Sequence, residues 1–172
     1  MFMWVEILYI ASVVCALLLA LYAAVSDWRF FKIPNTISLA VAFLFIPAVL
    51  TSPVEISWGV ALITAGIAFA IGFALFAMGL FGGGDVKLIA ALCLWAHGSL
   101  VMPFLLGVAL AGALLVFAVL IRHAWHSEEE YSFFRRIIIA TRSKTPVPYG
   151  VAIATGSLFV FYHYLKPINL FG

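Results

Sequence analysis

The sequence predicts an all-α, polytopic integral membrane protein, and three observations predict it. Hydrophobic residues make up 66% of the 172 residues and charged residues only 9%, whereas soluble domains carry roughly 25% charged residues. Apolar runs recur along the chain, and a membrane-crossing helix needs about 20 apolar residues. Most charged residues lie in short segments between these runs. We therefore expect one membrane domain that covers residues 1–172.

Apolar run length and turn residues divide the chain into six predicted spanning helices: residues 4–26, 36–50, 58–81, 86–96, 100–121 and 149–165. A single helix from 88 to 121 would be about 50 Å long, against a hydrocarbon core of about 30 Å. His97, Gly98 and Ser99 supply the turn that divides it. The glycine run 82–84 predicts unwound backbone before the fourth helix, since glycine costs about 1 kcal/mol per residue in a helix interior.

Basic residues orient the six helices in the membrane. With six spans, the segments 27–35, 82–87 and 122–148 lie on one side, and they hold eight of the nine Lys and Arg residues. The positive-inside rule then predicts that these segments are cytoplasmic and that both termini are outside. A five-span alternative, without the turn at 97–99, puts Lys87 and the basic 122–148 segment on opposite sides. That alternative fits the charge distribution less well.

Two aspartates at predicted membrane boundaries are the candidate catalytic residues. Asp27 follows the first apolar run and Asp85 precedes the fourth helix, both on the predicted cytoplasmic side. An acid at the edge of the hydrocarbon is costly and is a functional candidate. Hydrolysis without a metal or a nucleophile needs one carboxylate to accept a proton from water and another to donate one. Two adjacent carboxylates do not both ionise easily, so the pair holds one proton and supplies both functions.

Other interpretations of the aspartates remain open at this point. Asp85 would also suit the cap of a helix, and Asp27 would suit an ion pair with Arg29 or Lys32 at the interface. A non-enzymatic transporter, or a pilus or secretion assembly subunit, would use the pair to bind a proton or a cation. Transporters more typically carry their acids near the bilayer midplane in broken helices of paired repeats. No internal repeat is visible in this sequence.

Two motifs resemble those of the type IV prepilin peptidases, which are GxGD-type intramembrane aspartic proteases. One is Asp-x-Arg-x-x-x-Ile-Pro-Asn at 27–35, and the other is Gly-x-Gly-Asp-x-Lys at 82–87. The segment 148–154 resembles the start of that family's last span. The resemblance implies that Asp27 and Asp85 are the catalytic pair. It also implies that seven further motif residues lie near the pair or the substrate: Gly82, Gly83, Gly84, Lys87, Arg29, Pro34 and Asn35.

Structural roles are also expected for several of these motif residues. Pro34 suits a rigid turn into the second helix, and Asn35 suits a cap of that helix. Arg29 and Lys87 suit anchors at headgroup level, and nearby cations would also tune the aspartates.

The resemblance further implies a function and a location. It implies an endopeptidase that removes the short basic leader of a prepilin or pseudopilin, whose apolar helix stays in the bilayer. It implies a bacterial or archaeal cytoplasmic membrane, with the active site facing the cytoplasm. Neither Cys15 nor Cys93 belongs to a CxxC motif, so the short form typical of tight-adherence or Flp-type pili is expected. No methyltransferase domain, cofactor, metal or nucleic acid partner is predicted.

The segment 122–148 is predicted to contain an amphipathic helix on the cytoplasmic face. Its start resembles a capping box with three acids in the first turn: Glu128, Glu129 and Glu130. One hypothesis is that these glutamates attract the basic leader, and the alternative is a solvated helix start. His123 and His126 lack a fixed third ligand, so solvated histidines are expected there rather than a metal site.

Overall fold

A computed structural model describes residues 2–126 and 147–166 of the chain. These residues form six α-helices: α1 (Phe2–Phe30), α2 (Asn35–Thr51), α3 (Trp58–Ala77), α4 (Gly83–Trp95), α5 (Val101–His126) and α6 (Tyr149–Leu165). Three helical segments are long and apolar enough to cross a membrane: Met3–Phe30, Trp58–Ala77 and Gly98–Val119. The predicted all-α polytopic class is confirmed. The predicted amphipathic helix, with Glu128, Glu129 and Glu130, lies outside the described residues.

Four helices form the centre of the molecule. α1 packs on α2 and α6, and α4 packs on the same two helices. α5 covers the outside of α6, and α3 covers the outside of α4. Burial agrees with this arrangement. Leu88, Leu92 and Trp95 of the central helix α4 are fully buried, whereas Ala61 is the one buried residue of the outer helix α3. The apolar side chains of α3 therefore face outward, as expected for a helix in contact with lipid.

Hydrogen bonds from aromatic side chains join all four central helices at one end. The Tyr9 hydroxyl on α1 donates to the Tyr164 carbonyl on α6 at 3.0 Å. The Tyr164 hydroxyl donates to the Trp95 carbonyl on α4 at 2.9 Å. The Trp95 indole N–H donates to the Val41 carbonyl on α2 at 3.1 Å. Each of these three buried donors thus has an acceptor on a neighbouring helix, as the apolar surroundings require.

Glycines let α5 and α6 pack closely in antiparallel directions. A Cβ atom on Gly107 would lie 3.0 Å from the Gly156 Cα atom. A Cβ atom on Gly156 would lie 2.6 Å from Val108 Cγ2 and 2.9 Å from the Phe104 carbonyl oxygen. Small residues permit this kind of approach between membrane helices. The contact of Gly112 with Tyr149 and Ala152 places the middle of α5 beside the start of α6.

The third helix ends four residues before its predicted end. Gly79 has a φ of +73°, and its N–H donates to the Phe76 carbonyl at 2.9 Å. The Leu80 N–H donates to the Leu75 carbonyl at 3.0 Å. These two bonds form a Schellman motif, which ends a helix at a left-handed glycine. The sequence had placed Gly79 inside the third span, and the structure makes it the residue that terminates α3.

An unwound segment precedes the fourth helix, as predicted, but it occupies residues 78–82. Gly82 has extended backbone at the N-cap position, and α4 begins at Gly83. Gly83 and Gly84 therefore form helical backbone in the first turn, where glycine is less costly than in a helix interior. The first helix also runs past its predicted end to Phe30, so Asp27 lies within α1.

Replacement of Gly156 with Ala should destabilise the protein by about 1–3 kcal/mol, because the added methyl group would overpack the α5–α6 contact. Gly59→Ala is the matched control, since a Cβ atom there meets nothing within 4 Å. Denaturant unfolding in detergent micelles measures both variants. Equal unfolding midpoints for the two alanine variants would contradict the close approach of α5 and α6.

Candidate active site

The structure brings the two predicted catalytic aspartates to the same end of the central helices. Asp27 lies in the last turns of α1 and is 6% exposed. Asp85 is the third residue of α4 and is partly buried. The two carboxyl groups are close enough to interact electrostatically. They lie at the end opposite the hydrogen bonds of Tyr9 and Tyr164.

The start of α6 holds the Asp27 carboxylate. The Gly150 N–H donates to Asp27 Oδ2 at 2.6 Å. Gly150 is the second residue of α6, where backbone N–H groups have no partner within their helix and the helix dipole favours an anion. A Cβ atom on Gly150 would lie 2.8 Å from Asp27 Cβ and 3.0 Å from Oδ2. A glycine is therefore required for this contact. The ion-pair alternative for Asp27 is not observed, because Arg29 and Lys32 are exposed and its partner is Gly150.

Asp85 interacts with the start of its own helix. Its carboxylate accepts a hydrogen bond from the Gly82 N–H. Gly82 is the N-cap and Asp85 is three residues later, the spacing at which an acidic side chain reaches back in a capping box. A Cβ atom on Gly82 would lie 2.6 Å from Asp85 Oδ2. Asp85 thus caps α4 and also faces Asp27, so the two interpretations of this residue are compatible.

Ile33 fills the space between the starts of α4 and α6. A Cβ atom on Gly84 would lie 3.1 Å from both the Ile33 Cβ atom and its carbonyl oxygen. A Cβ atom on Gly150 would lie 3.1 Å from Ile33 Cδ1. Ile33 is itself 6% exposed. The two glycines let both helix starts close on this one side chain, and they thereby set the separation of the two aspartates.

The connection from α1 to α2 is a tight turn that positions Ile33. Phe31 adopts a φ of +49°, a left-handed conformation that costs non-glycine residues about 1–2 kcal/mol. The Ser26 hydroxyl donates to the Lys32 carbonyl at 2.8 Å, and this bond stabilises the turn between α1 and α2. Pro34 follows with a φ of −62° directly before α2.

Asn35 does not cap α2, and this prediction is wrong. Pro34 occupies the N-cap position and no side chain caps the helix. Asn35 is the first helical residue, one position too late for a cap, and its Oδ1 accepts a hydrogen bond from Lys87 Nζ at 2.9 Å. The bond joins the two sequence motifs directly. Arg29 is exposed in the last turn of α1.

Several residues of the site were not identified from the sequence. Gly150 and Ile33 both belong to the quoted motifs, but their contacts with Asp27 and Gly84 were not predicted. The available signal was a glycine in the first turn of an apolar helix, which indicates a close approach of another chain segment. Within residues 2–126 and 147–166, no group of three His, Cys, Asp or Glu side chains could hold a metal ion.

Comparisons with known proteins agree with the motifs. The profile of the type IV leader peptidase family matches residues 8–117, which include both aspartates. The chain is 32% identical over 147 residues to a prepilin leader peptidase/N-methyltransferase of Bacillus subtilis (strain 168). That alignment covers 84% of this chain and 52% of the relative, so the chain spans about half the length of the relative. No solved structure matches.

Replacement of Phe31 with Gly should stabilise the protein by about 0.5–1 kcal/mol, because glycine adopts the left-handed conformation without strain. Phe30→Gly is the control, since Phe30 is also exposed but is helical, and it should lose stability. Denaturant unfolding in one detergent would report the two shifts. Stability changes of the same sign for both variants would contradict the strained turn.

Proposed function

The chain belongs to the type IV leader peptidase family, and from this we propose that it is a membrane aspartic endopeptidase that removes the basic leader of prepilin-like proteins. The observation that carries the proposal is the convergence of Asp27 and Asp85 at one end of the central helices. Both residues lie in the segment that the family profile matches. The transporter and assembly-subunit alternatives have no comparable observation in their favour.

The proposed reaction uses both carboxyl groups on one water molecule. One carboxylate accepts a proton as the water oxygen attacks the scissile carbonyl carbon. The other carboxyl group, which is protonated, donates its proton to the carbonyl oxygen. As the tetrahedral intermediate collapses and the C–N bond breaks, the first carboxyl group gives its proton to the leaving amine and a hydroxyl of the intermediate returns a proton to the second carboxylate. The protons balance without a metal or cofactor, and the pair returns to its starting state.

Backbone donors orient the pair for this chemistry. Asp27 Oδ2 is held by Gly150, which leaves Oδ1 free to face the water. Asp85 is held by Gly82 and is the more exposed of the two acids, so water and substrate would reach the pair from its side. A fixed carboxylate orientation is what general acid–base catalysis requires.

The proposed substrate is a prepilin or pseudopilin that carries a basic leader and an apolar helix. The pair would face the cytoplasm of a bacterial or archaeal cell, with both termini on the other side of the membrane. Arg29, Lys32, Lys87 and Arg122 support this orientation, since their helix ends lie at the aspartate end of the bundle and cytoplasmic ends are enriched in basic residues. Attraction of the leader by residues 128–130 stays a prediction.

Asp27→Asn and Asp85→Asn should each lower the rate of leader removal by roughly 10³-fold or more, because neither amide can accept and return the proton. The asparagine side-chain oxygen can still accept from the Gly82 N–H, so Asp85→Asn should remain folded. Glu55→Gln is the control, since Glu55 is an exposed acid in the α2–α3 connection. Conversion of a prepilin to its shorter product in vesicles measures the rate. Full activity in either Asn variant would overturn the proposal.

Reporter fusions at residues 52 and 128 should report opposite compartments. Residue 52 ends α2, on the proposed external side, and residue 128 lies in the segment proposed to be cytoplasmic. A phosphatase fusion should therefore be active only at 52 and a fluorescent protein fusion only at 128. The same compartment at both positions would contradict the proposed orientation.

A further inference from the structure

A groove runs along the outside of the bundle between α2 and α3. Both helices pack on α4, and a cavity of about 600 Å³ lies between them. Ala90 and Ala91 of α4 line its floor, and Ala42 of α2 and Ala65 and Gly66 of α3 line its walls. Small side chains let another helix approach the backbone closely. The shape and composition of the groove therefore suit an apolar helix.

The polar end of the groove lies at the same level along α4 as the proposed catalytic pair. Asn35 and Lys87, which are joined by the hydrogen bond described above, both line the groove. Lys87 is two residues after Asp85 on α4, so the polar end of the groove and the carboxyl group belong to the same helical turn. A helix in the groove would thus begin at the level of Asp85, although residues two apart lie on different faces of α4.

Ser38, in the wall of the groove, has a buried hydroxyl group without a hydrogen-bond partner. It lines the cavity and is 5% exposed, and its Oγ has no hydrogen-bond partner among the described residues. Serine in an apolar helix ordinarily bonds to the carbonyl four residues earlier, as Ser12 does with Leu8 in α1. A buried hydroxyl without a partner is unfavourable. Ser38 would therefore gain a hydrogen bond if its hydroxyl group turned toward a donor on a molecule in the groove.

We propose that this groove binds the apolar helix of the substrate and that Ser38 hydrogen-bonds to its first turn. The inference rests on the proposed function. The first N–H groups of any helix lack a partner within it, and Ser38 Oγ can accept from one of them. Ser38 is one turn further along α2 than Asn35. A substrate helix that begins at this level would place its leader junction at the level of Asp27 and Asp85, and the extended junction would cross the start of α4 to reach them.

The first test fills the groove and measures cleavage. The probe is a synthetic prepilin in lipid vesicles, with a short basic leader that ends in glycine and an apolar helix of about 20 residues. Ala65→Phe should raise KM about tenfold and leave kcat within about twofold, because it blocks binding without touching the carboxyl groups. Ala11→Phe is the control, since Ala11 is exposed on α1. An unchanged KM for Ala65→Phe, with normal cleavage by the parent protein, would overturn the inference.

The second test separates a binding role of Ser38 from a structural one. Ser38→Ala should raise the unfolding temperature, because it removes an unpaired buried hydroxyl. It should also raise KM about threefold or more, because the bond to the substrate helix is lost. A purely structural role predicts the stability gain with no change in KM, and that result would contradict the proposal.

The third test identifies the occupant directly. A photoreactive side chain at Leu62, which lines the groove, is compared with one at Leu18, which is exposed on α1. Asp85→Asn is present to stop cleavage. The synthetic prepilin should be captured at 62 and not at 18. Capture of lipid alone, or of a second copy alone, would overturn the inference.

Failure of the inference and failure of the proposed function have different signatures. If the parent protein did not cleave any prepilin, including the synthetic one, the proposed function would fall. If it cleaved the prepilin while Ala65→Phe, Ser38→Ala and the cross-links at 62 gave the contrary results, only the groove assignment would fall.

Discussion

The site depends on the hydrogen bond from the Gly150 N–H to the Asp27 carboxylate. The side chain of Ile33 packs beside this bond. The bond fixes the start of α6 against the end of α1. Gly84 brings the start of α4 against the same isoleucine. A methyl group at either glycine would force Ile33 or Asp27 to move, because the nearest atoms are at 3.1 Å or less. The separation of the two carboxyl groups therefore depends on glycine at positions 84 and 150, where no side chain holds the helix starts apart.

The same arrangement resolves a difficulty that any acid meets in a membrane. A carboxylate at the edge of the hydrocarbon is costly unless it is paired, and the first N–H groups of a helix are costly unless they have acceptors. Asp27 at the start of α6 and Asp85 at the start of α4 satisfy both requirements together. One geometry therefore suits both helix capping and the proposed catalysis.

The sequence predicted the six α-helices of residues 2–126 and 147–166, and it predicted that the two aspartates lie at the same end of them, because run length and turn residues are local signals. Apart from the meeting of Asp27 and Asp85, it did not predict contacts between distant residues. Gly150 and Asp27 are 123 positions apart, and Asn35 and Lys87 are 52 apart. Asn35 was assigned to a cap because a motif does not state which residue is N-cap and which is the first of the helix. The unpaired hydroxyl of Ser38 could not be predicted from the sequence either, because it depends on how the helices pack around that side chain.

Asp27 and Asp85 act as a single unit if they share one water molecule, and a double-mutant cycle on leader removal tests this most directly. Rates are measured for Asp27→Asn, for Asp85→Asn and for the double variant, in single turnovers with excess protein. Groups that act together in one step give losses that do not multiply. The double variant is therefore expected to be no slower than the slower single variant. Losses that multiply in the double variant would show two independent contributions and would contradict a shared water.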